Sequence, residues 1–433
     1  MANIIVLGAG LGGTAAAYEI HAALGSGHTV TLVGDGPRFS FTPSNPWLEL
    51  GTRKREDIGF ELAAPLERHG IGFIDVPAQK VLAAESRLQL RDGRTLDYDY
   101  LVITTGPRLA FDEVPGLGPE GHTQSICTAE HAQLAWEAYQ KFLGNPGPVV
   151  VGAAPGASCF GPAYEFAMLV DADLRRRRLR DRVPITYVTP EPYAGHMGLG
   201  GVGDSKTLME HEFRQRGIRW IANAKVLGAE AGKLRLQELD ARGEPEGESE
   251  LPFAYAMLLP AFTGVDAVRG IEGLTNPRGF ILIDEHQRNP RFRNIFAAGV
   301  CVAIPPVEVT PVPTGAPKTG FMIESMVTAI AHNLREEIAG RQPEARATWN
   351  AVCLADMGDT GAAFVALPQI PPRNVTWAKE GKWVHLAKLA FEKYYLHKVR
   401  SGNTEPVYEK YVLKLLGIER LKPPVKHAQG DLP

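Results

Sequence analysis

Cysteine is scarce. The 433-residue chain has four, Cys127, Cys159, Cys301 and Cys353, too few and too far apart for a disulfide scaffold and without a C-x-x-C pair to hold zinc. No metal site is therefore expected. Also missing is any apolar run near the ~20 residues a spanning helix needs, so no ordinary transmembrane helix is expected, while residence on a membrane surface stays open. Met1-Ala2-Asn3 leads straight into Ile4-Ile5-Val6-Leu7, without the basic flank, longer apolar core and small-residue cleavage site of a cleavable signal peptide. Nor is charge of one sign in excess. The formal net charge is −3, which sets up no global field for nucleic acid, and no nucleic-acid partner is expected. With 44% hydrophobic and 22% charged residues, the chain reads as an ordinary folded protein of two or three domains.

What is present begins with glycine. A short apolar strand, Asn3 to Leu7, runs into Gly8-Ala9-Gly10-Leu11-Gly12-Gly13, which is G-x-G-x-x-G at Gly8, Gly10 and Gly13 with Gly12 among them. An Ala-rich helix, Thr14 to about Leu24, and a second strand, Thr29 to Val33, complete a β-α-β order. Glycine lets the backbone turn tightly and admit a pyrophosphate, which then sits at the positive end of the helix dipole. The ribose carboxylate is less plain: Asp35 lies two residues past the strand, Gly34 takes the usual place, and a turn aspartate reads equally well.

Two later segments choose the dinucleotide. Tyr98 to Gly106 is a strand ending Thr104-Thr105-Gly106, and Asn294 to Gly299 is another ending in glycine. Both resemble signatures of the two-dinucleotide-binding-domain flavoproteins, in which all three segments belong to the FAD domain. That resemblance implies FAD as cofactor. One departure is Val300, which stands where the family carries an aspartate for the ribityl chain.

Nicotinamide-using members open a middle domain with a second glycine motif. Here the strand around Gly147 to Gly152 is followed by Ala153-Ala154-Pro155-Gly156-Ala157-Ser158-Cys159. Ala154 replaces the second glycine and Pro155 removes a donor N–H, so nicotinamide binding is disfavoured. Cys159 stands at the start of the next helix, whose dipole is expected to lower the thiol's pKa. A redox C-x-x-x-x-C near the first motif is excluded, because residues 30 to 70 contain no cysteine.

The resemblance then narrows to the sulfide:quinone oxidoreductases of the bacterial membrane-bound type. It is carried by Phe41-Thr42-Pro43-Ser44-Asn45-Pro46-Trp47, Gln124-Ser125-Ile126-Cys127-Thr128, Gly156 to Glu165, Pro311 to Gly320, and Trp349-Asn350-Ala351-Val352-Cys353, in order along the chain. It implies that sulfide is oxidised to polysulfide or elemental sulfur and a membrane quinone, ubiquinone or menaquinone, is reduced. Three cysteines carry that chemistry, matching Cys127, Cys159 and Cys353. The last two are the working pair, bridged at rest by a disulfide or intervening sulfur, with Cys353 on the flavin side. Hydrosulfide opens such a bridge by thiol–disulfide exchange. Cys301 matches no family position and reads as packing.

Glu165, six residues beyond Cys159 on the predicted helix, is the candidate base. His131 and His196 resemble histidines near the sulfide channel. Lys318 follows a proline-rich loop, with Gly320 just beyond, and could aim a cation at the flavin, where negative charge develops on reduction.

After Cys353 a proline-rich stretch, Leu367 to Pro372, reads as a stiff linker before two helices. Trp383 to Val399 puts Val384, Ala387, Phe391 and Tyr395 along one side with Lys388, Lys393, Lys398 and Arg400 among them; Pro406 to Leu416 repeats this with Tyr408, Val412, Leu415 and Leu416. From Arg373 to Lys426 there are twelve Lys/Arg against five Asp/Glu. Basic amphipathic helices suit a bilayer surface, and the resemblance implies docking there, on the cytoplasmic (inner) membrane, with quinone beside Phe391 and Tyr395 and with Leu354 on the pocket wall. A homo-oligomer is compatible with it.

The expected fold is α/β: two Rossmann-like (FAD/NAD(P)-type) domains, residues 1–110 with 285–345 binding FAD and 111–284 lacking a nicotinamide site, then a C-terminal amphipathic helical membrane-docking region, 346–433. The alternatives are an NADH:quinone dehydrogenase and the flavoprotein subunit of flavocytochrome c sulfide dehydrogenase.

Overall fold

Apolar runs with no polar alternation form strands buried on both faces, the pattern of a parallel sheet covered by helices. Residues 1–403, 414, 417 and 419–423 are described by the computed structural model. In chain order, β1 (Asn3–Leu7), α1 (Leu11–Leu24), β2 (Thr29–Val33), α2 (Asn45–Glu49), β3 (Gly72–Ile74) and β4 (Tyr100–Ile103) come first. Next are α3 (Ala129–Gly144), β5 (Val149–Ala153), α4 (Gly161–Arg176), β6 (Ile185–Val188), β7 (Ile218–Ile221) and β8 (Tyr255–Leu259). Last come β9 (Ile295–Ala297), α5 (Gly320–Ile338), β10 (Ala351–Asp356), β11 (Gly361–Leu367), β12 (Val375–Glu380) and α6 (Lys382–Ser401).

Two parallel sheets carry the fold. The first runs β9-β4-β1-β2-β3 and the second β7-β6-β5-β8. Each follows the order in which the first strand ends up central, with ligands expected beyond the carboxyl ends of the strands. The helix predicted from Thr14 begins three residues earlier, at Leu11. Gly12 and Gly13 are tolerated in its first turn because their N–H groups have no intrahelical partner to lose.

The C-terminal part differs more from expectation. A three-stranded antiparallel sheet, β10-β11-β12, precedes the helix, and Leu367 to Pro372 joins β11 to β12 as a hairpin connection instead of linking two regions. The strands escape a periodicity search because β11, Gly361-Ala-Ala-Phe-Val-Ala-Leu367, is buried at every position and so shows no alternation. The expected run of lysines facing a membrane is also corrected. On α6, Val384, Lys388, Glu392, Tyr395, Leu396, Lys398 and Val399 all point inward. Lys398 Nζ donates to Glu324 at 2.7 Å and Lys388 Nζ to Glu165. Burying these ammonium groups is tolerable because each meets a carboxylate. The outward stripe is Trp383 and Leu386, 49% and 64% exposed, then Ala390, Lys393, His397 and Arg400. Tyr408, Val412, Leu415 and Leu416 lie outside the described residues.

Candidate active site

The glycine turn between β1 and α1 is built by close backbone approach. A Cβ at Gly13 would lie 1.6 Å from the Gly8 carbonyl oxygen, and one at Gly8, whose φ is +110°, would lie 2.5 Å from the Thr104 carbonyl oxygen. Thr104 Oγ1 ties β4 to the turn by donating to Leu7 O at 3.0 Å and Gly8 O at 3.1 Å. Gly12 packs against Ile323 in the first turn of α5, so the N-termini of α1 and α5 converge at the tips of β1 and β4. Gly10, Gly106 and Gly320 have no atom within 4 Å of an added Cβ. That leaves open space lined by glycine, Thr105 and two helix N-termini, the donor arrangement a pyrophosphate needs. Gly34 presses on Ala9 and Phe73, Asp35 beside it is exposed, and Gly299 ends β9 with φ +85°. We expect Gly10→Ala to fold with the parent's melting temperature yet retain FAD about tenfold less well or worse, because its methyl occupies the phosphate space. The flavin-to-protein absorbance ratio checks this.

The corresponding loop after β5 is filled. Gly156 N–H donates to Pro313 O at 2.7 Å and Gly315 N–H to Ala157 O at 2.9 Å. A Cβ on Gly315 would meet that of Ser158 at 2.6 Å. The segment Pro313 to Gly315 thus takes the backbone donor that a nicotinamide dinucleotide would use.

The same loop delivers Cys159, two residues before α4. Cys127 is set by the start of α3, where Thr128 Oγ1 accepts from His131 N–H at 3.1 Å, and Cys353 lies on β10 opposite Phe364. All four cysteines are free thiols. A charge on Cys159 would raise the thiols of both Cys127 and Cys353, which places it near each of them. Burial pushes Cys159 up to about 11, with the Lys318 cation pulling the other way, and Cys127 and Cys353 up to about 12. The helix dipole expected to activate Cys159 is outweighed by desolvation, because the thiol precedes the helix and is buried. Cys353 is exposed by surface, yet the surrounding protein still desolvates its thiol. Raised thiol pKa values leave little thiolate at neutral pH. Alkylation of the reduced protein should therefore rise about tenfold per pH unit from pH 6 to 9, whereas a plateau near pH 7 would contradict it.

Lys318 is almost wholly desolvated, which lowers it to about 8 although Cys301 and Cys159 act to raise it. Its Nζ lies 5.0 Å from the Phe280 ring centre. Cys301 is buried in the core, its Sγ donating to Ala298 O at 3.2 Å and Ile103 O at 3.3 Å.

The pyridine nucleotide-disulphide oxidoreductase family profile matches residues 2–332. A sulfide-quinone reductase of Aquifex aeolicus is 43% identical over 95% of this chain and 94% of its own. The chain belongs to the sulfide-quinone reductase family. The X-ray structure of the sulfide:quinone oxidoreductase from Aquifex aeolicus superposes with a TM-score of 0.94 at 42% identity, covering 99% of both chains. NDH2 from Plasmodium falciparum in complex with NADH, at 14% identity, TM-score 0.71 and coverage of 97% and 100%, shares the fold. Like its family, this sulfide-quinone reductase homologue is an FAD flavoprotein.

Other predicted residues of this family member fall in distinct places. Glu165 is buried and raised to about 7 by desolvation, against the pull of Lys388. Lys388 also acts on Cys353, which connects the acid to the cysteines. His131, whose pKa is lowered by burial, packs on Phe111. His196 is likewise lowered by burial; its Nε2 is 2.6 Å from Glu308 Oε1 and its ring 5.2 Å from that of Tyr193. His196 Nδ1 also accepts from Gly198 N–H at 3.2 Å, and neither ring has a described hydrogen bond to a cysteine. Phe391 lies 5.9 Å from Phe41, 6.4 Å from Phe321 and 5.8 Å from Tyr395 between ring centres. Tyr395 is buried, and Leu354 on β10 is half-buried opposite Ala363.

Sequence reasoning missed Phe321, Lys388, Asp356, His385 and, as site residues, Phe41 and Trp47. The i, i+3 spacing of His385 and Lys388 was a usable signal, since it puts both on one helix face.

Proposed function

We propose that the protein oxidises hydrosulfide to polysulfide or elemental sulfur at Cys159 and Cys353 and reduces a membrane quinone, ubiquinone or menaquinone. The observation that carries this is Cys159 on a loop whose phosphate donor is taken by Pro313, near enough to Cys127 and Cys353 for charge on it to raise both. The last feature also speaks against the NADH:quinone dehydrogenase reading. FAD, held by Gly8, Gly10, Gly12, Gly13, Gly34, Asp35, Thr105, Gly106, Gly299 and Gly320 with Lys318 as fixed cation, supplies the two-electron acceptor.

The chain's own groups do the sulfur chemistry. Hydrosulfide attacks a Cys159–Cys353 bridge, forming one S–S bond and breaking another, which leaves a persulfide on one cysteine and a thiolate on the other. Reclosing the pair around the added sulfur releases two electrons and one proton, and Glu165, poised near neutrality, accepts that proton. Cys353 is the cysteine on the flavin side, Cys127 a third sulfur-handling thiol, and His131 and His196 line the approach of sulfide. Phe391, Tyr395 and Leu354 border the quinone. The outward Trp383 and Leu386 rest on the bilayer of the inner membrane as a peripheral anchor; no helix among the described residues is long and apolar enough to cross it. The 1–110 with 285–345, 111–284 and 346–433 division describes this layout, and homo-oligomers are compatible with it.

Steady-state turnover tests this reading. Sulfide should drive anaerobic loss of a short-chain quinone and NADH should not, with Leu386→Asp weakening sedimentation on anionic vesicles. Quinone loss driven by NADH alone would overturn it.

A further inference from the structure

Oxidising HS⁻ to the level of elemental sulfur yields two electrons and one proton, while a quinone takes up two of each. Every turnover therefore draws one proton from water. We propose that Asp356 and His385 form the port through which this proton reaches the buried Glu165–Lys388 pair. The inference rests on the reading above and adds the route that its stoichiometry demands.

Glu165 on α4 is 5% exposed and accepts from Lys388 Nζ of α6. Asp356 lies beside this carboxylate, its charge raising it and its backbone N–H lowering it. Asp356, the last residue of β10, is 2% exposed. Its Oδ2 accepts from Trp47 Nε1 at 2.7 Å; its Oδ1 accepts from Gly358 N–H at 2.9 Å and lies 2.8 Å from His385 Nδ1. Trp47 and Gly358 are neutral donors, so His385 is the one chargeable group among these partners. The His385 side chain is 29% exposed. It thus joins the buried carboxylate to water, beside the exposed Trp383 and Leu386 on the same helix.

The other charges nearby are already engaged. Glu392 of α6 holds Arg53 at 2.9 Å and Ser44 Oγ at 2.5 Å, and Arg53 also covers Trp47 at 4.8 Å. Lys388 Nζ lies 5.0 Å from the centre of a Trp47 ring, and Lys388 is one turn from Phe391. The sequence from water is His385, Asp356, then Glu165 with Lys388, ending beside the aromatic cluster. A purely structural contact to Asp356 would need any donor; a part-exposed imidazole can both donate to the carboxylate and exchange its proton with water.

His385→Asn separates the two roles, because an amide can donate to Asp356 but carries no proton. In the holoenzyme we expect parent stability and a parent rate of flavin reduction by sulfide, a step with no net demand on solvent protons. Flavin reoxidation by quinone should slow about tenfold, a modest share of what proton transfer contributes to catalysis. Proton uptake, read by a pH indicator in weakly buffered solution, should slow with it, and free imidazole should restore both. Parent rates in both half-reactions would overturn the proposal, as would equal slowing of both that imidazole does not relieve. A parent enzyme that sulfide fails to reduce would sink the functional reading and this inference together.

Discussion

Changing Cys353 to alanine lowers the rate at which sulfide reduces the flavin by at least about a thousandfold, as loss of a covalent nucleophile does. The side chain is exposed on a strand held by its pairing with β11, so the change opens no core cavity, and stability and FAD content should stay at parent values. The cost falls on chemistry: without Cys353 there is no Cys159–Cys353 bridge for hydrosulfide to open and no partner on which the pair can reclose. Anaerobic stopped-flow absorbance gives the rate. A variant reduced as fast as the parent would remove Cys353 from the reaction.

Lys388→Met lowers stability by about 1–2 kcal/mol at pH 8, because it strands the Glu165 carboxylate in the interior. The loss depends on pH. Glu165 is raised to about 7 even with its ammonium partner, and higher still without it. The folded variant therefore keeps its Glu165 proton above about pH 7, where the parent loses it, and its stability relative to the parent falls by about 1.4 kcal/mol per pH unit from there toward the new folded pKa. Near pH 5 the deficit should be small. Glu165→Gln in the same chain should recover most of it, since a neutral amide needs no counter-ion. Urea midpoints at pH 5 and 8 measure this, and a deficit independent of pH would show that packing, not charge, is what Lys388 provides.

How far these features could be read from sequence depends on the physics that specifies them. The glycine turn was legible because Gly8 and Gly13 are demanded by close contacts of 2.5 and 1.6 Å at the turn itself, and Gly10 borders the open space beside it, a local constraint with local spacing. The filled loop after β5 was half legible: Ala154 and Pro155 announced that phosphate would not bind, but the Pro313–Gly315 plug comes from more than 150 residues away. Cys159 illustrates the limit of a one-helix argument, since its dipole could be inferred and its burial could not. On α6 the positions of the charges were visible and their direction was not. Nothing between residues 383 and 400 says that Lys388 and Lys398 will meet Glu165 and Glu324, because those acids lie on α4 and α5. The sheet β10-β11-β12 escaped for a third reason: its central strand β11 consists largely of small residues buried on both faces, with no period to detect.

The central claim is that sulfide, not a nicotinamide, is the electron donor to the flavin and that quinone is the acceptor. The most direct measurement is the visible flavin absorbance of the purified holoenzyme under strict anaerobiosis, first with sulfide and then with a short-chain quinone. Bleaching by sulfide followed by full recovery on quinone, with no response to NADH, is the predicted result. A flavin that stays oxidised in excess sulfide, or that bleaches with NADH instead, would contradict it.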